Sequence, residues 1–372
     1  MYIHDLAEWP NFTWNDGKLK PLLGEIRQLQ VGLRAELNQL GFEDKTEASL
    51  RVLTEDVVKT SEIEGEQLDA LLVRSSIARR LGLDVGGLAK IDRQVEGVVY
   101  VVLDATTNFD QSLTQDRLYG WHASLFPTGY GGYGVKILVG QWRHDRNGPM
   151  QVVSGAVGKE RVHFVAPEQL RLPLEIEKFL AWFELKTSEA CDIDPIIKAG
   201  IAHLYFVTIH PFDDGNGRIA RAIADLALAR ADKMGQRFYS MSAQIRKEHN
   251  AYYEILEQTQ KGTLDVTTWL EWFLICLTRA IHGAQTVLHD VLRKVRVWRF
   301  LNKVELNERQ HKMLNLLLDQ DFFGALSTPK WAKMTGCSLD TANRDLAKLV
   351  EHGILEKSGQ GRSTRYKLKE DL

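Results

Sequence analysis

The run from Asp194 to Ala229 constrains the fold of this chain more than any other stretch. Asp194-Pro195 is a capping residue followed by proline at the first helical position, and Ile197, Ile201, Leu204 and Val207 then recur at helical spacing. The helix delivers the chain to His210-Pro211-Phe212-Asp213-Asp214-Gly215-Asn216-Gly217-Arg218-Ile219-Ala220-Arg221. A second helix should begin within the glycine turn and continue through Ala229. The turn carries unusual chemistry. Histidine moves a proton near neutral pH, and an aspartate can hold Mg²⁺ beside substrate phosphates. A Gly-Asn-Gly turn bares backbone N–H groups to an anion, and arginines clamp phosphate oxygens. Arg218 and Arg221 lie three apart, so both project from one face near a helix N-terminus, which itself favours anions. Together these residues make the inventory of a nucleotide-phosphate site with its own base.

Other readings of the turn fail. Gly215-Asn216-Gly217-Arg218-Ile219-Ala220 fits Gly-x-Gly-x-x-Ala, but the dinucleotide fingerprint needs a preceding strand, and here the preceding run is helix-spaced. A Walker A loop is excluded because no Gly-Lys-Ser/Thr follows. A plain helix–turn–helix corner, with Asp214 as a cap and solvated arginines, would not require all these residues at these spacings.

The rest of the chain reads as mainly helical. Leu22, Ile26, Leu29, Leu33, Leu37 and Leu40 form one stripe, closed by Gly41. Further helices are expected over about Glu47–Glu64, Asp69–Leu81 and Leu113–Phe126, the last capped by Thr114. Between Gly129 and Pro167 the character changes: Met150–Val153 and Arg161–Val165 flank Ser154-Gly155-Ala156-Val157-Gly158 and predict a hairpin. With 372 residues the chain has room for two or three domains. Cys191, Cys276 and Cys337 are too few and too far apart for a disulfide framework or zinc site. A net charge of −2 argues against bulk nucleic-acid binding. The N-terminus has no basic and apolar leader, no run reaches membrane-spanning length, and a cytoplasmic location is expected.

His210–Arg221 resembles the core motif of the Fic family, His-x-Phe-x-Asp/Glu-Gly-Asn-Gly-Arg-x-x-Arg, at every fixed position. The resemblance implies a Fic-type helical core with a β-hairpin flap, and transfer of AMP from ATP to a Ser, Thr or Tyr hydroxyl of a target protein. It makes His210 the general base and Asp214 the Mg²⁺ ligand. Gly215, Asn216 and Gly217 become the anion nest, continued into Ile219 and Ala220 at the phosphate-binding helix start. Arg218 would stabilise the departing pyrophosphate and Arg221 would grip the γ-phosphate. Tyr252 and Tyr253 lie where relatives carry a Tyr-Tyr pair near the nucleotide base, and Gln260 stands where some relatives have an asparagine toward adenine. The flap would hold the target as an added strand. Two rivals stay open: a DNA-binding regulator whose Fic domain senses nucleotide, and a transferase of another phosphate-containing group. The family also removes AMP, and the direction is not readable. A homodimer is compatible with either.

Leu50, Leu53, Val57, Thr60 or Ser61, and Glu64 follow one another at helical spacing, which puts Glu64 on a buried stripe near a helix end, where its charge opposes the dipole. Such a carboxylate needs a partner. Thr60-Ser61-Glu62-Ile63-Glu64-Gly65 resembles the family's inhibitory motif, Ser/Thr-x-x-x-Glu-Gly/Asn. The resemblance implies that Glu64 pairs with Arg221 and turns the γ-phosphate away.

From Leu306 onward a helix (Asn307–Leu318), a helix-turn-helix (Thr328–Thr335 and Leu339–His352) and two strands (Ile354–Lys357 and Thr364–Leu368) around Gly359-Gln360-Gly361-Arg362 resemble a winged helix-turn-helix domain. Arg344, Lys348, Arg362, Arg365 and Lys367 suit DNA contact, whereas Asp340, Asp345, Glu351 and Glu356 dilute the field, so a protein-contact role is equally open. The expected division is an N-terminal helical region with the inhibitory helix over 1–105, a catalytic domain over 106–305 and the winged helix over 306–372.

Overall fold

The computed structural model describes residues 1–83, 91–146, 148–155, 159–185, 193–233, 238–301, 304–318 and 325–369. Ala156, Val157, Gly158 and Cys191 lie outside them, and so does the side chain of Arg362. Among the described residues the fold is mainly α, with two small antiparallel hairpins. It divides into two compact units, Met1–Thr286 and Val287–Leu372.

The first unit opens with α1 (Asp16–Leu37), α2 (Phe42–Ile63), α3 (Ala70–Arg80), α4 (Arg93–Thr107) and α5 (Gln115–Leu125). Asn15, Asp69, Asp92 and Thr114 cap α1, α3, α4 and α5 through side-chain oxygens. Gly41 is a correction: α1 ends at Leu37, and Gly41 is the N-cap of α2. The apolar stripe runs on through Leu40, which is buried outside the helix. Helix α4 was not expected. Its valines favour a strand by propensity, yet Val95, Val98, Val99 and Val102 are spaced for one helical face and all are buried.

A hairpin follows, β1 (Gln151–Ser154) paired with β2 (Arg161–Val165), with a register shift between Val152 and Val153. Then come α6 (Leu172–Glu184), α7 (Pro195–Ile209), α8 (Asn216–Asp232), α9 (Met241–Lys247), α10 (His249–Gln260) and α11 (Thr267–Leu301). Helices α7 and α8 pack against one another at the centre of this unit. Every residue of α7 from Ala199 to Ile209 is buried, as a helix apolar all round requires. Trp269 on α11 donates its indole N–H to the Gly200 carbonyl at 2.8 Å, and the absent side chain at Gly200 lets Leu270 and Phe273 close in.

The second unit holds α12 (Glu308–Leu318), α13 (Thr328–Thr335), α14 (Leu339–Glu351), β3 (Leu355–Ser358) and β4 (Arg365–Leu368). Gly336, at φ 66°, ends α13, and Ser338 caps α14. Val297 and Leu301, the end of α11, share its core with Met313, Leu314, Trp331 and Leu346, which is why this unit begins at Val287. Asp345 does not dilute the surface field as expected: it is buried and held by Arg309 and Asn307 at 2.8 Å each. Lys367 pairs with Glu356 at 3.4 Å.

Candidate active site

The α7–α8 connection gathers the chemistry. His210 caps the C-terminus of α7 in the left-handed region, φ 51° and ψ 57°, a conformation that costs a β-carbon residue about 1–2 kcal/mol. It swings the ring back so that Nδ1 lies 3.1 Å from the Val207 carbonyl. A carbonyl only accepts, so Nδ1 carries the proton and Nε2 keeps a lone pair. Desolvation pushes the His210 pKa down to about 4, against the Val207 carbonyl, which raises it; the Arg143 charge adds to the lowering, and Glu64 and Asp214 oppose it. The ring is therefore a neutral acceptor at pH 7.

The turn is fixed from several sides. Asn216 accepts from Phe212 N at 3.0 Å and donates to Phe212 O at 2.8 Å, so its side chain braces the loop and leaves only its backbone N–H for an anion. Phe212 is buried and stacks on His122, ring centroids 4.1 Å apart. Gly215 adopts φ 78°, and a β-carbon there would meet the Phe126 ring at 2.8 Å. Asp214 accepts from Gly132 N at 2.9 Å and from Gly215 N at 2.6 Å. Asp213 accepts from Leu138 N at 2.9 Å.

Both arginines are buried, and both are occupied by carboxylates. Arg221 donates through Nη2 to Glu64 Oε1 at 2.8 Å and to the Thr60 carbonyl at 2.9 Å, and through Nε to Thr60 Oγ1 at 2.8 Å. A β-carbon on Gly217 would lie 2.3 Å from Glu64 Oε1, so this carboxylate sits directly over the first turn of α8. There the backbone N–H groups lack intrahelical acceptors. Arg218 donates through Nη1 to Glu66 at 2.8 Å and lies over the Phe126 ring at 4.9 Å. Its Nε has no hydrogen-bond acceptor among the described residues. Glu66 was not anticipated; only its place two residues beyond Glu64 hinted at it.

Some expectations need correction. Glu64 does not lie on a buried stripe. Helix α2 stops at Ile63, Glu64 is the cap residue, and its side chain is 25% exposed against 2% for Arg221. Ile219 and Ala220 are buried inside α8, and the Ile219 N–H is bonded to the Gly215 carbonyl. Tyr252 is a core residue whose hydroxyl meets His203 Nε2 at 2.9 Å among Trp269 and Trp272. Tyr253 is 37% exposed and stands edge-on to Tyr252. Gln260 is buried and reaches Thr208 Oγ1 at 3.3 Å.

Comparison with known proteins bears on this geometry. The Fic/DOC family model matches residues 112–228, which span α5 to α8 and hold the whole turn. Residues 112–228 are a Fic domain. A domain of unknown function, DUF4172, matches residues 2–83, and the C-terminal domain of DIP2311-like transcriptional regulators matches residues 314–369. The protein adenylyltransferase Fic of Nematostella vectensis is 34% identical over 128 residues, 34% of this chain and 27% of that protein. Its Aedes aegypti namesake is 30% identical over 118 residues, 32% of this chain and 21% of that protein. The Fic domain is thus shared with proteins of which this chain spans about a quarter. Among solved structures, a Fic family protein from Desulfovibrio desulfuricans has TM-score 0.55 at 21% identity, covering 97% of this chain and 98% of that one. A Fic-domain signalling protein from Bacteroides thetaiotaomicron has TM-score 0.53 at 20% identity, covering 71% and 97%. Both share the fold.

Proposed function

We propose that the chain is a protein adenylyltransferase that moves AMP from ATP to a protein hydroxyl, restrained by its own Glu64–Glu66 segment. The observation that carries this reading is the bare Nε2 of a neutral His210 on the same turn as an anion-ready helix start and two buried arginines. His210 Nε2 would take the proton of a target Ser, Thr or Tyr as its oxygen attacks the α-phosphorus. The bond to the β-phosphate oxygen breaks, and pyrophosphate leaves toward Arg218. Arg221 would hold the γ-phosphate. The relatives' name, protein adenylyltransferase, favours AMP over another phosphate-containing group.

The residues present suit Mg²⁺. The described residues hold no cluster of three or more His, Cys, Asp or Glu able to bind a metal. Mg²⁺ that arrives with a nucleotide needs only one or two carboxylates besides phosphates and water. Asp214 accepts two backbone N–H bonds, and a carboxylate has about four acceptor sites, so capacity remains. Bound there, the ion would neutralise charge on the α- and β-phosphates.

Glu64 and Glu66 would restrain the site by standing where phosphate oxygens belong. Each holds one arginine, so nucleotide must displace two carboxylates of one short segment. The test is intact-mass analysis of the full chain after incubation with ATP and Mg²⁺. One added adenylyl group supports the reading, an added phosphate favours the rival transferase, and no addition by parent or Glu64→Gly, with nucleotide still bound, favours the sensor.

The C-terminal unit supports a second role as a duplex-DNA reader. With Asp345 turned inward, Arg344 and Lys348 stand on the exposed face of α14. Binding to random duplex should weaken steeply with salt as counterions are released, and Arg344→Ala should weaken it further. Salt-insensitive or absent binding would favour protein contact. No helix among the described residues is long and apolar enough to cross a membrane.

A further inference from the structure

We infer that Arg143 is a positioning residue for the base: its guanidinium holds the carbonyl of His210 and thereby sets the direction of the imidazole. This rests on the transferase reading of the site. Arg143 precedes β1, 67 residues before His210 in sequence, and only 1% of it is exposed. Arg143 stands in the run Gln-Trp-Arg-His-Asp-Arg, with a second arginine three residues on, and no local spacing singles it out.

Its contacts are those of a clamp. Nε donates to the His210 carbonyl at 2.8 Å, and the Arg143 backbone N–H donates to the Pro211 carbonyl at 2.9 Å. Two successive carbonyls of the turn are thus held by one residue. Nη2 donates to the Pro167 carbonyl just past β2, and Nη1 pairs with Asp145, whose other oxygen accepts from Gln169 N at 2.7 Å. The charge is buried but fully engaged, which a desolvated guanidinium requires.

A structural pin would need none of this aim. His210 occupies the left-handed region, where a residue with a β-carbon persists only if its surroundings impose it. The Val207 carbonyl fixes the ring, but that contact depends on the φ and ψ that the carbonyl bond maintains. Removing the Arg143 side chain strands the His210 carbonyl in the turn and the Pro167 carbonyl beside it, while the backbone bond to Pro211 remains, so the turn should relax at His210 toward an ordinary helix end. The imidazole then leaves the direction in which Nε2 faces a nucleotide held by Asp214 and the nest. The nest itself is braced separately by Asn216 and Gly132, so nucleotide binding should survive. The predicted signature is therefore a loss in kcat with little change in affinity for ATP.

The experiment compares Arg143→Ala and Arg143→Lys, each in the full chain carrying Glu64→Gly, with thermal melting to confirm folding. ATP affinity should stay within about threefold, while kcat falls roughly 100-fold for alanine, the scale of an ångström-size misplacement of a reacting group. Lysine keeps the charge but cannot make the Nε and both Nη contacts together, and it should lie between. Millimolar guanidinium should restore part of the alanine variant's rate and none of the rate of His210→Ala. Nitrogen-15 spectra of histidine should show Nδ1-protonated His210 in the parent and a mixture of tautomers in Arg143→Ala. Should alanine fail to fold, lysine and the spectra decide. An unchanged kcat, an unchanged tautomer, or loss of ATP binding in step with kcat would overturn the inference. If Glu64→Gly itself transfers no AMP, the transferase reading fails, and the tautomer spectra still report on Arg143 alone.

Discussion

The turn His210–Arg221 and the segment Glu64–Glu66 meet at one site but are built on opposite plans. The turn is over-determined. Backbone or side-chain bonds reach it from Gly132, Leu138 and Arg143, and Asn216 ties it to itself. It holds a histidine in a costly left-handed conformation without slack. The Glu64–Glu66 segment is a glycine-capped helix end, held by bonds from Glu66 N to the Ser61 carbonyl and from Gly65 N to the Glu62 carbonyl. Its backbone bonds go only to its own last turn, where Glu64 N also reaches the Ser61 carbonyl. Gly65 bends it at φ 80°, and two ion pairs tether its side chains to the arginines. On the proposed function, the first region would be permanent machinery and the second a removable occupant of it.

The largest effect should come from breaking the permanent side. His210→Ala in a Glu64→Gly background should cut AMP transfer by about 10²–10⁴-fold, the usual loss on removing a general base. ATP affinity should hold, since the arginines and helix start are untouched. Calorimetry and intact-mass time courses check both. Transfer as fast as in Glu64→Gly alone would remove His210 from the mechanism.

The removable side should respond by smaller steps. Glu66→Gln added to Glu64→Gly should raise ATP affinity a further 3- to 10-fold, about 0.7–1.4 kcal/mol. That range suits a carboxylate 24% exposed, since solvent screens such a pair. An unchanged affinity would mean that Glu66 merely parks on Arg218. Arg221→Ala should not activate, because it deletes the γ-phosphate grip along with the inhibitory partner, and equal activation by Arg221→Ala and Glu64→Gly would contradict the assignment.

An effect on stability, not on transfer, is expected from the core beneath the turn. His203 is fully buried, and desolvation foremost, with the Arg221 charge, pushes its pKa down from 6.5 to about 3. The unfolded chain therefore takes up a proton that the folded chain refuses between about pH 6.5 and 3. Stability is complete above that window and falls as pH drops through it, by up to about 1.4 kcal/mol per pH unit for one proton. Urea midpoints from pH 7 to 5 should fall, and His203→Gln should flatten the slope by one proton. An unaltered slope would mean that His203 is not the group.

How much of this was legible depends on the range over which the residues act. The turn carries its chemistry within twelve consecutive residues, so its content could be read directly, and the helices on either side follow from Asp194-Pro195 and the apolar spacing. Glu64 could be matched to Arg221 through the resemblance, but its burial was misjudged because periodicity does not say where a helix stops. Ion pairs that span long separations stayed hidden: Glu66 and Arg218 are 152 residues apart, and no local pattern encodes that meeting. Helix α4 escaped because valine propensity and helical spacing point to different structures, and burial on both sides decided for the helix.

The central claim is that the Glu64 carboxylate stands in for a phosphate on Arg221. A broken pair costs roughly 3–5 kcal/mol when fully buried and far less when exposed. With Glu64 25% exposed and Arg221 2% exposed, an intermediate value is expected. The decisive measurement is the rate of adenylyl incorporation by intact mass for the parent and Glu64→Gly at equal ATP, with folding verified. The account predicts a rate 10- to 100-fold higher in the variant, corresponding to about 1.4–2.7 kcal/mol. Equal rates in the two folded proteins would contradict it.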